Sequence, residues 1–392
     1  MHASRILRSC FSSVFDAMHA GRARRLLCAV DALVSGRCLT LTGVARSWLG
    51  ATYVHAPLKA LDRLLSNRHL QQELEALHSA IALQLLAGRP PVLVVDWSDL
   101  KRDGRWCLLR AAIPVGGRTL TVYEEVHPSG AMNQPRVQKQ FLRALARRLP
   151  AGVVPIVVTD AGFRSDWFRA VRARRWHFVG RVRSNTHVRS QAESTWHPCA
   201  ALHSLASASA RDLGQWDLVK RQPLRCRLVT VRRKRRGRDQ RTRRGQPQQG
   251  TIAKRARKSA REPWLLATSL LEATAAQVVA WYAQRMQIET AFRDLKSHRY
   301  GMSFEDSLTR KSARLQVLLM LHTLASFAAW ATACAAQAQG LRDPLARQAR
   351  HRSRYSWHQR GCAWLCRPAL PESLSRWMRQ PRLTEDLTGT GT

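Results

Sequence analysis

Four chemically distinct side chains recur at helical spacing in Tyr282-Ala-Gln-Arg285-Met-Gln-Ile-Glu289-Thr-Ala-Phe-Arg-Asp-Leu-Lys296. On one continuous α-helix, steps of three, four and seven residues bring Tyr282, Arg285, Glu289 and Lys296 into a stripe about four turns long. A carboxylate flanked by a guanidinium and an ammonium suits a site that holds a metal ion against a phosphate. The same pattern also serves an exposed helix whose charges lie at pairing distance, so other parts of the chain must decide between the two.

Two more acids stand where a sheet would present them. Asp96 closes the apolar run Pro91-Val-Leu-Val-Val-Asp96, and Asp160 closes Val153-Val-Pro-Ile-Val-Val-Thr-Asp160. Uninterrupted Val and Ile runs read as buried strands, and polar groups at strand ends read as sites. Three converging carboxylates repel one another unless divalent cations neutralise them, and hard oxygen ligands select Mg2+ or Mn2+.

With these residues the sequence resembles the bacterial DDE transposases of the insertion-sequence-4 group. Their signature, Tyr-x2-Arg-x3-Glu-x6-Lys, is matched at Tyr282, Arg285, Glu289 and Lys296. The first acid matches in Val-Asp96-Trp-Ser-Asp-Leu and the second in Thr-Asp160-Ala-Gly-Phe-Arg. Asp62-Arg-Leu-Leu-Ser-Asn67 and Pro263-Trp-Leu-Leu-Ala-Thr-Ser269 are further likenesses, so the resemblance runs from about residue 38 to 310. It implies a cut-and-paste DNA transposase with Asp96, Asp160 and Glu289 as catalytic metal ligands for two Mg2+ ions, Mn2+ substituting. It also implies DNA contacts from Tyr282, Arg285 and Lys296, and a DNA-dependent homodimer that joins two transposon ends, with their terminal inverted repeats, in a synaptic complex. Trp264 matches a Trp that stacks on an extruded base in relatives that form a hairpin at the element end. A metal-dependent nuclease or resolvase on the same fold, and a non-catalytic DNA-binding remnant, are the alternative readings.

Composition agrees. Lys and Arg number 65 against 26 acidic residues, a formal net charge of +39, so the chain seeks a polyanion, most simply nucleic acid. The nine cysteines are unpatterned and suit reduced thiols in a cytoplasm, and the resemblance implies a bacterial one, near the nucleoid. His197, Cys199 and His203 supply three possible zinc ligands without a convincing fourth. The first twenty residues read as no secretory signal. The apolar segment 315–334 is long enough to span a bilayer but carries Gln316 and His322 and reads as a buried core helix. No membrane role is expected.

The elements that must position the acids follow from periodicity. Residues 1–85 read as a helical DNA-binding domain with helices at Arg22–Val34 and His69–Leu86. Within it, 40–49 and 57–65 are either a helix-turn-helix, with Lys59 and Arg63 facing DNA, or an ordinary helical hairpin. Residues 86–185 and 275–335 read as two parts of an α/β core. Its three antiparallel strands, helix, strand, helix and strand match the ribonuclease H-like plan that the resemblance implies, with Asp96 and Asp160 on neighbouring strands. Between the parts, 186–274 reads as a β-rich insertion with strands at 216–220, 226–231 and 264–269. Its loop 232–261 holds fourteen Lys or Arg against Asp239 alone, a polycation suited to a phosphate backbone. Residues 336–392 read as a C-terminal helical region.

Overall fold

The computed structural model describes residues 2–86, 90–183, 186–233, 246, 250–251, 262–299, 301–342, 344–345 and 356–377. Most of the basic loop 232–261 lies outside them. The protein is mixed α/β and divides into two compact units, a larger one of Met1–Val153 with Met286–Thr392 and a smaller one of Val154–Arg285.

The larger unit begins with six helices, α1 (Ala3–Cys10), α2 (Ser12–Ala17), α3 (Ala20–Gly36), α4 (Leu41–Arg46), α5 (His55–Leu65) and α6 (Arg68–Leu85). Helices α3 and α6 fill the two periodic segments. The start of α6 is fixed by Asn67, whose side chain accepts a hydrogen bond from Leu70 N–H at 2.9 Å. Its apolar face buries Leu70, Leu74, Leu77, Ile81 and Leu85, the spacing of one helical stripe. The helix-turn-helix expectation needs correction. Residues 47–54 separate the six-residue α4 from α5, about twice the turn that motif uses. That link turns through Gly50 at φ +77° and leaves Leu49, Tyr53 and Val54 exposed, so it has no apolar face to continue either helix.

Three antiparallel strands follow, β1 (Val92–Asp99), β2 (Trp106–Pro114) and β3 (Thr119–Pro128). The β2–β3 hairpin turns on Gly116 and Gly117, at φ +74° and +87°, the pair of left-handed residues that a two-residue hairpin turn of matching twist requires. Asp96 does not end its strand as hydropathy suggested. Trp97, Ser98 and Asp99 still pair with Leu109, Leu108 and Cys107, because the ladder, not the apolar run, sets where a strand stops. Helix α7 (Pro135–Ala146) starts on the proline suited to a first helical turn.

In the smaller unit the strands run in the order β4-β5-β10-β9-β8-β6-β7. They are β4 (Ile156–Thr159), β5 (His177–Arg181), β6 (His187–Ser190), β7 (His197–Pro198), β8 (Arg211–Leu218), β9 (Leu224–Val231) and β10 (Trp264–Thr268). Helix α8 (Ser165–Arg172) joins β4 to its parallel neighbour β5, and α9 (Ala275–Ala283) packs on the sheet. The expected insertion strands are β8, β9 and β10, whereas β6 and β7 are too short to leave a hydropathy signal. Of His197, Cys199 and His203, His197 pairs with Glu193 and Cys199 is buried.

The chain re-enters the larger unit with α10 (Met286–Lys296), α11 (Ser312–Ala338), α12 (Trp357–Leu365) and α13 (Glu372–Trp377). The 27-residue α11 is long and apolar enough to cross a membrane, yet its side chains are almost all buried against α3, α6, β3 and α12. It is the expected core helix.

Buried neutral histidines make this packing acid-sensitive. Burial lowers His78 and His358 to about 4, and lowers His322 in the same direction. A folded-state pKa below the ordinary value of about 6.5 means that the unfolded chain binds protons first as pH falls. Stability is therefore full above pH ~6.5 and is lost progressively down to pH ~4, by about 3 kcal/mol for His78. Urea unfolding at pH 7 and pH 5 is expected to show this loss, and His78→Gln to flatten it.

Candidate active site

The four-residue stripe does not lie on one helix. Gln284 and Arg285 form a turn between α9 and α10, with their N–H groups bonded three residues back to Trp281 O and Tyr282 O, both at 3.1 Å. No Pro or Gly marks this break, so nothing in the local sequence announces it. Tyr282 therefore sits on α9, Arg285 in the turn, and Glu289 and Lys296 on α10.

In the larger unit, register places Asp96 opposite Arg110 and Arg110 opposite Glu124. Residues directly opposite one another on antiparallel strands share a face, so the three form one charged row across β1, β2 and β3. Helix α10 covers that face: the Phe292 ring centroid lies 5.2 Å from the Arg110 guanidinium carbon. Its two ends are tied down. Gln287 Oε1 accepts from Gly117 N–H at 3.0 Å, and Lys296 Nζ donates to Ser98 Oγ and Asp99 O, each at 3.0 Å. Arg118 pairs with Asp294 between them.

From Lys296 back to Glu289 the helix rises about 10 Å, the length of about three strand residues. Lys296 is anchored at Ser98 and Asp99, and Glu289 stands two turns before it on the same helix. Asp96 is buried, its Oδ1 accepting from Trp97 N–H at 2.8 Å, and Glu289 is half-buried. Burial lowers the Lys296 ammonium from its ordinary range, Glu305 and Asp99 draw it back, and Arg110 pushes it further down.

The smaller unit gathers the remaining residues. Asp160 follows the last residue of β4, and its Oδ1 accepts from Gly162 N–H at 2.8 Å. Burial raises the Tyr282 phenol, Arg285 and Arg181 oppose the shift, and Asp160 adds to it, so these four groups share one neighbourhood. Trp264, half-buried at the start of β10, meets Tyr282 edge-on with centroids 4.8 Å apart, and Arg233 lies 5.7 Å from the indole centroid. Lys59 and Arg63 are exposed on α5 of the larger unit, clear of its buried Leu61, Leu64 and Leu65.

One feature beside Asp160 escaped sequence reasoning. A cleft of about 510 Å3 runs from Ala161 past Phe163 and carries Arg164, Arg181, Arg183, Lys220 and Arg221 on its walls. Arg183 is paired with Glu262, while Arg164, Lys220 and Arg221 are exposed. The turn that presents Lys220 and Arg221 begins at Val219 with φ +67°, a left-handed conformation rare for a β-branched residue. In a chain with 65 cations, two adjacent ones carry no signal of their own. Only the turn after β8 sets them apart.

The carboxylates offered by Asp96, Asp160 and Glu289 are hard oxygen donors, which fit Mg2+ or Mn2+ and not a thiolate- or imidazole-seeking metal. A family model described as a transposase DDE domain matches residues 87–328, more than half of the chain. No curated protein matches it.

The two bonds from Lys296 to β1 give a direct expectation. Lys296→Met removes them and is expected to lower the stability of the DNA-free protein by about 1–2 kcal/mol in urea unfolding. Unchanged stability would mean that the ammonium does not hold α10 to the strand.

Proposed function

The chain belongs to the DDE transposase-domain family, and from that premise we propose that it is the cut-and-paste transposase of an insertion sequence of the insertion-sequence-4 group. The observation that carries this reading is the order around the acids. Asp96 and the helix bearing Glu289 share one face of a meander, and Asp160 stands in one neighbourhood with Tyr282 and Arg285. The family's activity is phosphoryl transfer on DNA. On this reading the core is ribonuclease H-like in two parts, 86–185 and 275–335, with 186–274 inserted and helical regions at 1–85 and 336–392.

Asp96, Asp160 and Glu289 would hold two Mg2+ ions, or Mn2+ in their place, which when bound stabilise the entering and leaving oxygens of the transferred phosphate. The chain's own residues do the rest. Arg285 and the exposed cations of the cleft, Arg164, Lys220 and Arg221, neutralise the backbone next to the cut. Lys296, already bonded to Ser98 and Asp99, places its charge beside the Asp96 strand and takes a phosphate from there. Tyr282 supports Arg285 and presents Trp264. Trp264 stacks on a base displaced when the 3′ hydroxyl closes a hairpin, worth about 1–3 kcal/mol per base. Lys59 and Arg63 contact the terminal inverted repeat. The protein acts in the bacterial cytoplasm on nucleoid DNA, as a homodimer formed on two ends.

Asp96→Ala, Asp160→Ala and Glu289→Ala are each expected to abolish cleavage of end DNA in Mg2+ while leaving end binding within about twofold, since ligation and recognition use different side chains. Near wild-type cutting by any one of them refutes the assignment, and wild-type cutting without strand transfer identifies a nuclease instead. Lys220→Ala and Arg221→Ala are expected each to reduce the slope of log affinity against log salt by about 0.9. An unchanged slope takes the cleft away from the DNA. Trp264→Ala is expected to nick ends but to close few hairpins, and a normal hairpin yield returns that ring to a packing role.

A further inference from the structure

Arg110 and Glu124 are a buried charge pair with no part in the reading above. Arg110 is 1% exposed and Glu124 6% exposed. Arg110 Nε donates to Glu124 Oε2 at 2.8 Å, and Nη2 lies 2.6 Å from the same oxygen. Glu124 Oε1 accepts from Thr323 Oγ1 of α11 at 3.1 Å, and the Arg110 guanidinium lies over Phe292 of α10. Four elements, β2, β3, α10 and α11, thus meet at one guanidinium–carboxylate contact.

Stability does not explain why such a pair sits there. Removing two charges from water costs several kcal/mol per ion, and well-packed apolar residues of similar shape commonly do as well or better. What a buried pair supplies is a fixed geometry, because its fork tolerates little displacement. Here the fixed geometry is directly beside Asp96 in the same cross-strand row, and one helical turn from Glu289. Glu124 takes the guanidinium from the side away from Asp96.

We infer that Arg110 and Glu124 are positioning residues that set the spacing between Asp96 and Glu289 for a hard divalent cation. Arg110 acts through Phe292 on α10 and through register on β1, while Thr323 fixes Glu124. The inference rests on the metal-dependent reading of the same carboxylates. Neither residue touches the cation or the DNA.

The test uses the full chain and two readouts, Mn2+ binding by calorimetry without DNA and the Mg2+ dependence of end cleavage. Arg110→Met combined with Glu124→Leu keeps the volume and removes both charges. The folded double variant is expected to bind Mn2+ about tenfold more weakly, the usual effect of losing a group that orients metal ligands. Its Mg2+ requirement for cleavage rises by a similar factor, while end binding in EDTA is unchanged. Glu124→Gln leaves the guanidinium uncompensated beside the acids and is expected to weaken Mn2+ more than the double variant does. Thr323→Val, which deletes a single bond, is expected to cost about threefold, and it decides the matter if the double variant fails to fold. Wild-type Mn2+ affinity in the folded variants overturns the inference. A wild-type chain that shows no metal-dependent cleavage refutes the proposed function instead, so the two failures are distinguishable.

Discussion

A carboxylate on a helix can serve the same ion as a carboxylate on a strand only when the helix cannot slide. Helix α10 is held against the three-stranded meander at both ends and in the middle: at Gly117 through Gln287, at Arg110 through Phe292, and at Ser98 and Asp99 through Lys296. A shift of one residue along the helix moves a side chain by about 1.5 Å and turns it by about 100°. Either is enough to spoil ligation of a small cation. The remainder of the larger unit supports this arrangement, with α11 packed on β3 and its Thr323 bonded to Glu124 of the same cross-strand row.

The electrostatics divide into two regimes. Buried and half-buried cations are matched: Arg110 with Glu124, Arg118 with Asp294, and Arg227 with Asp212. The excess that gives the chain its +39 is carried by side chains such as Arg164, Lys220, Arg221, Lys59 and Arg63, which stand in solvent. Self-repulsion of that excess opposes compactness until a polyanion relieves it. Folding therefore draws on one subset of these cations and leaves another in solvent.

The sequence told most where chemistry and periodicity coincide. The Val-rich runs located β1 and β4, and the 3.6-residue period located α3, α6 and α11. Asp96 and Asp160 stood out because carboxylates after apolar runs are uncommon in so basic a chain, and Glu289 because it falls at helical spacing with Arg285 and Lys296. Position within an element was less legible. Asp96 lies inside its strand because pairing with β2 extends beyond the apolar residues, and the break at Gln284 and Arg285 has no breaker residue to betray it. Arg110 and Glu124 were invisible for a different reason: their meaning arises from register, which joins residues fourteen apart through a hairpin. Val219 likewise gains its role only from a backbone angle.

The larger unit is discontinuous in the chain, assembled from residues before 154 and after 285. Synthesis runs from the N-terminus, so the meander bearing Asp96 leaves the ribosome long before the helix that covers it. The smaller unit, by contrast, is one unbroken stretch and is complete once residue 285 has emerged. A polypeptide that stops early thus has Asp160 and its neighbours but neither Glu289 nor the long helix that backs the meander. Only a chain read through the 286–338 segment has both the helix that carries Glu289 and the long helix packed on the meander. Interrupted translation of this protein yields fragments in which the larger unit is incomplete, a consequence of chain order alone.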